Sequence, residues 1–145
     1  MEEHVWFPAG ARPLSEGATV RLLDGRRCRT KESLFDHWAE RLAFPSYFGG
    51  NWDAFEECLT DFLHAGVPGA GSGAGLVLRV EHAGDLLIEG SDDDLRVLAD
   101  ILRTVVAEYR RPGRPDAVVE LTDDEARIVA LRRQLESRGS GGVTG

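Results

Sequence analysis

Residues 18–23, ATVRLL, set Val20 and Leu22 against Thr19 and Arg21, a two-residue period that predicts a strand. Asp24-Gly25 closes the strand as a turn dipeptide. The period then changes. Leu34, Phe35, Trp38 and Leu42, with Ala39 beside them, recur at helical spacing, and Thr30 precedes them as an N-cap with Glu32 in the first turn. That helix ends before Pro45, because a residue preceding proline avoids the helical region.

Pro45 to Gly50 reads as a loop, in which Gly49 and Gly50 permit positive φ. Asn51 caps a second helix that carries Asp53 in its first turn and runs to about His64. Residues 65–75, AGVPGAGSGAG, form a flexible connection. Residues 76–82 are nearly continuously apolar and predict a central strand. Ser91 and three aspartates open a third helix with Leu95, Leu98, Ala99, Leu102, Val105 and Val106 on one side. Residues 116–121 predict a last strand, and residues 123–137 a further helix with Ile128, Val129, Leu131 and Leu135. Residues 1–17 have no clear period and read as a polar lead-in whose Trp6 and Phe7 either dock on the body, the preferred reading, or belong to a frayed terminus.

Strands separated by helices pair in parallel through right-handed crossovers. The order therefore predicts a two-layer α/β domain over residues 18–122, a three-stranded parallel sheet with helices packed mainly on one face. Residues 1–17 are an N-terminal extension. Residues 123–145 are a C-terminal extension, helical to about 137 and then a disordered tail.

Composition narrows the function. With 145 residues the chain can bury a core without disulfide or metal staples. Its net charge is −8, which disfavours binding to nucleic acid and favours a basic partner. No apolar run approaches a membrane span, and the acidic first residues do not suit a signal peptide. Cys28 and Cys58 cannot make a secreted disulfide framework, so a cytoplasmic protein with two free thiols is expected.

The second helix carries the most information. Phe55, Cys58, Leu59, Phe62 and Leu63 fall on one side, and Asp53, Glu56, Glu57, Thr60, Asp61 and His64 on the other. A solvated helix face usually mixes charges. Here Asp53–Glu57 and Glu57–Asp61 are like-charge pairs four residues apart, and no Lys or Arg occurs between Arg41 and Arg79. A self-repelling surface is poor for stability and good for capturing a cationic partner. Tyr47 and Phe48 adjoin it, as aromatics do in binding hot spots. Phe48 is expected to be the more buried of the two.

The stretch LAFPSYFGGNWDAFEECLTDF, with Leu42, Pro45, Tyr47, Phe48, Gly49, Asn51, Asp53, Ala54, Phe55 and Leu59, resembles the signature of the barstar family, intracellular inhibitors of microbial guanyl-specific ribonucleases. The resemblance implies a barstar-like fold. It also implies that the loop and second helix plug a ribonuclease active site, their carboxylates standing in for the RNA phosphate. By position, Tyr47 is the aromatic that packs on the catalytic histidine, Asp53 the first acidic contact and Thr60 a rim contact. Glu57 falls on the phosphate-mimicking carboxylate, usually Asp. Glu56 replaces a rim aromatic and Gly50 a glutamate of the best-known member. The third-helix acid of that member aligns near Thr104, so that contact is expected to be missing, with Glu108 nearby. The expected partner-binding set is Tyr47, Phe48, Gly49, Gly50, Asn51, Asp53, Glu56, Glu57, Thr60 and Asp61. The expected partner is a basic microbial ribonuclease bound by a monomer, with no cofactor, metal, nucleic acid or membrane.

Other signals are weaker. The glycine-rich stretch 66–75 precedes a strand and has no Lys, unlike a phosphate loop. Asp92 to Asp94 lack the spacing of a calcium loop. An enzyme using Asp53 and Glu57 as acid and base would need a cleft, and an exposed helix face is not one. The C-terminal segment 123–137, rich in Arg at Arg127, Arg132 and Arg133 with Arg138 just beyond, could meet another protein or fold on the acidic body. The alternative to ribonuclease inhibition is a barstar-fold interaction module, or toxin immunity protein, with a different partner.

Overall fold

The computed structural model describes residues 2–7, 19–45, 49–65, 75–109 and 117–144. Its sheet has four strands in the order β1-β4-β3-β2. They are β1 (Glu2–Phe7), β2 (Thr19–Asp24), β3 (Leu76–Glu81) and β4 (Ala117–Asp124). The helices are α1 (Lys31–Leu42), α2 (Trp52–Ala65), α3 (Asp92–Tyr109) and α4 (Glu125–Thr144), with single 3-10 turns at Gly25–Arg27 and Ala83–Asp85.

The expected parallel core is present: β2 pairs with β3, and β3 with β4, both parallel. The expectation of a three-stranded parallel sheet is corrected by β1. Residues 2–7 add a fourth strand, antiparallel to β4, with Val5 opposite Leu121 and Phe7 opposite Val119. Its alternation is hidden in the sequence because Trp6, an apolar residue, points to the opposite face from Val5 and Phe7. The docking of Phe7 is realised: it is buried in the core.

The registers place Val5, Phe7, Leu23, Leu76, Leu78, Val80, Ala117, Val119 and Leu121 on one face of the sheet. All of these join a single core cluster with apolar residues of all four helices, among them Trp38, Phe55, Leu98 and Ile128. The helices thus pack on that face. In β2 the core takes Leu23, while Val20 and Leu22 stand on the other face at 43% and 42% exposure. That outer face also carries Arg79 and Glu120. The Glu120 carboxylate is buried, accepts from Arg79 Nε at 2.6 Å and meets His4 Nδ1 with its second oxygen.

Unpaired strand edges invite wrong pairing, and native proteins cover them. Helix side chains do so here. Arg132 Nη2 of α4 donates to the His4 carbonyl of β1 at 2.8 Å. On β2, Arg41 Nε donates to the Leu22 carbonyl at 3.1 Å, and the Asp24 N–H donates to His37 Nε2 at 2.9 Å.

The segment after β3 was not legible as structure, yet Ala83, Leu86 and Leu87 are core residues. Its 3-10 turn packs so closely on the turn after β2 that a Cβ on Gly25 would lie 2.1 Å from the His82 carbonyl oxygen. Ion pairs tie α4 to this segment. Arg127 pairs with Asp85 and, at 3.6 Å, with Asp123, while Arg29 reaches Asp85 at 3.4 Å. The Arg-rich segment therefore folds at least partly on acids of the body.

Candidate functional site

Local sequence fixes where α2 begins. Asn51 Oδ1 accepts from the Ala54 N–H at 2.8 Å, the capping bond expected of an Asn at this place. Upstream, α1 is capped by Thr30, with Ser33 answering reciprocally, and stops where Ala43 turns left-handed at φ 54°. Gly50 sits at φ 71°, a conformation that suits glycine. The chain is thus turned sharply at both ends of the stretch that joins α1 to α2.

Aromatic packing then fixes the orientation of α2. Phe55 is fully buried and meets Trp38 at 5.3 Å, Phe35 at 5.6 Å, Phe44 at 6.0 Å and Trp52 at 5.7 Å between ring centroids. Trp52 also stands edge-on to Phe35 at 5.0 Å. Phe44, just before the loop, and Trp52, the first residue of α2, are therefore anchored on the same ring. Cys58, Leu59 and Leu63 continue the buried side of α2.

The opposite side is open. Asp53, Glu57 and Asp61 are exposed, Glu56 and Thr60 are half-buried, and Gly49, Gly50 and Asn51 are exposed. Among the described residues, none of the four carboxylates has a salt-bridge partner. By contrast, Asp24, Asp85 and Glu120 elsewhere are all paired. Tyr47 and Phe48 lie outside the described residues, as does the expectation that Phe48 is the more buried. Trp52 was not singled out in the sequence. Its spacing of three residues from Phe55 was the signal that it supports the site.

The cysteines are structural. Burial pushes the Cys28 thiol up to about 12, and Cys28 Sγ donates to the Asp24 carbonyl at 3.4 Å. Burial, with Asp61 and Glu57 nearby, also raises Cys58. No cluster of metal-ligating side chains occurs among the described residues, and no helix there is long and apolar enough to cross a membrane.

Among the described residues α2 thus presents a row of carboxylates without ion-pair partners on one helix of an α/β domain, a surface whose like charges favour an oppositely charged partner. The model of the family described as "Barstar (barnase inhibitor)" matches residues 18–120. The chain belongs to the barstar family. It is also 30% identical over 90 residues to the Bacillus subtilis (strain 168) protein named "Putative ribonuclease inhibitor YrdF", covering 61% of this chain and 91% of that protein.

Proposed function

We propose that this protein is an inhibitor, not an enzyme, and that it binds a basic microbial ribonuclease inside the cell and occludes its active site with α2 and the loop before it. The observation that carries this reading is the exposed row Asp53, Glu57 and Asp61, without an ion-pair partner among the described residues, on an aromatic-anchored helix. A ribonuclease cleft is built from cations that hold phosphate. Carboxylates at helical pitch can satisfy those cations with charge-assisted hydrogen bonds. Because Asn51 and the Phe55 cluster fix α2 beforehand, little ordering entropy is lost on binding. Family membership and the name of the Bacillus relative support the same reading.

Within it, Glu57 takes the place of the phosphate, with Asp53 toward the loop and Asp61 and Thr60 toward the rim. Tyr47, Phe48, Gly49 and Gly50 complete the contact surface, and Glu56 adds a carboxylate at its margin. The partner is guanyl-specific, and the inhibitor acts as a monomer.

The test is titration of a guanyl-specific microbial ribonuclease with this protein and with Glu57→Ala. Stoichiometric inhibition that the variant relieves by about 2 kcal/mol or more, the scale of an interface hot spot, supports function and site together. Inhibition untouched by the variant keeps the function and removes the site. The second reading, an immunity or interaction module with another partner, is favoured by Glu at 57 and Glu at 56, where the family resemblance leads one to expect Asp and an aromatic. Absence of inhibition across several such ribonucleases selects it.

A further inference from the structure

One buried ionisable group plays no part in the proposed site. His37 lies in the middle of α1, 8% exposed, and its Nε2 accepts the main-chain N–H of Asp24, the last residue of β2, at 2.9 Å. An imidazole nitrogen accepts a hydrogen bond only when it carries no proton. The bond therefore fixes His37 as neutral, with its proton on Nδ1, an atom buried without a hydrogen-bond partner among the described residues. Adding a proton at Nε2 would point two N–H donors at each other across the same gap.

The charges around the ring come from every neighbouring element. Arg27 follows β2, Glu40 and Arg41 lie on α1 itself, Asp24 ends β2 and Glu81 ends β3. Together with Leu22, Leu23 and His37 they line an open cleft of about 240 Å³, which gives solvent protons a route to the ring. The two guanidiniums oppose a third cation, and Asp24 and Glu40 favour one. Asp24 is already engaged, its carboxylate accepting from the main-chain N–H and the guanidinium of Arg26. Burial adds the largest contribution, and the net effect holds the imidazole below its ordinary value of 6.5.

We propose that His37 is a pH-sensitive latch on the outer edge of the sheet: neutral, it holds the end of β2 against α1, and protonated, it releases the Asp24 amide and opens that end of the strand. One turn along α1, Arg41 holds the Leu22 carbonyl with a group that stays charged throughout, so the opening is confined to the strand's end. The latch is independent of any partner and of the reading of α2.

The experiment is amide hydrogen exchange, followed by NMR on the full chain from about pH 7.5 to about pH 5, with rates corrected for the intrinsic pH dependence of exchange. The expected result is that Asp24 protection falls by up to about tenfold per pH unit as the pH drops below the free imidazole value of 6.5, and stays well below the protection of Leu78 and Val80 throughout. In His37→Gln the side-chain oxygen reaches the position of Nε2 and cannot titrate. Asp24 protection should then be flat across the range. The proposal is overturned by flat protection in the native chain, by an equal pH-dependent loss in the Gln variant, or by Asp24 protection equal to that of Leu78 and Val80 at every pH, which would mark exchange only through unfolding of the whole sheet.

Discussion

Trp38 of α1 meets Phe55 of α2 edge to face, ring centroids 5.3 Å apart, and both side chains are completely withdrawn from water. The contact couples the helix that packs on β2 to the helix that carries the acidic row. Phe55→Ala should cost about 3–5 kcal/mol, because it removes an aromatic from a close-packed site and leaves a cavity. Urea unfolding checks this through the midpoint, with the slope unchanged if the unfolded state is unaffected.

The row on α2 makes an unusual prediction about a single side chain. Asp53–Glu57 and Glu57–Asp61 repel each other in the free protein. Glu57→Gln should therefore raise stability, by about 0.2–0.5 kcal/mol for each pair relieved. The same change should weaken binding of the proposed basic ribonuclease partner. Thermal unfolding of the free chain and inhibition kinetics should move in opposite directions. Loss on both counts would show that Glu57 has a structural role.

Asn51→Ala should cost about 1 kcal/mol, and Asn51→Asp much less, because Asp retains the capping oxygen. Helix content near the start of α2, followed by NMR chemical shifts, distinguishes fraying there from a global effect.

Stability should fall in acid in two windows. Burial holds His37 below 6.5, so the unfolded chain takes up this proton first. The contribution of neutral His37 is complete above 6.5 and is lost as the pH falls from there toward the folded-state value. The hydrogen bond from the Arg26 side chain holds Asp24 below its ordinary 3.8. That contribution is present above 3.8 and is lost as the pH falls below it through the folded-state value. Urea midpoints measured across the acid range should therefore rise with pH in both windows.

The thiols give a third kind of check. With Cys28 pushed to about 12 and Cys58 also raised, neither is a thiolate at neutral pH. Both should resist alkylation in the native chain and react promptly in denaturant. Rapid labelling of Cys58 alone would mean that α2 opens locally.

Much of this architecture was legible because it is local. Thr30, Asn51 and Ser91 each announce a helix start and each makes the expected capping bond, Ser91 Oγ accepting from the Asp94 N–H at 3.3 Å. The division of α2 into a buried and an acidic side follows from helical periodicity alone. The less legible features depend on distant partners. β1 is a strand because β4 lies beside it, and β4 runs on to Asp124 because β1 pairs with its last residues. Leu86 and Leu87 enter the core from a segment with no regular period, held by the bond from the Leu87 N–H to the Cys28 carbonyl at 2.8 Å. The role of Trp52 was hidden because a single aromatic after a cap does not reveal which ring it will meet.

The seals on the two edges of the sheet also differ in how far apart their partners lie along the chain. At β2 they join residues 13 and 19 positions apart, but at β1 the bond from Arg132 to His4 spans 128. Closing a long loop costs more entropy and is slower to be rewarded by contacts. The β2 side can therefore assemble as soon as α1 forms, and β1 docks only on a nearly finished molecule. Of the four strands, the one that comes first along the chain is the last to find its place.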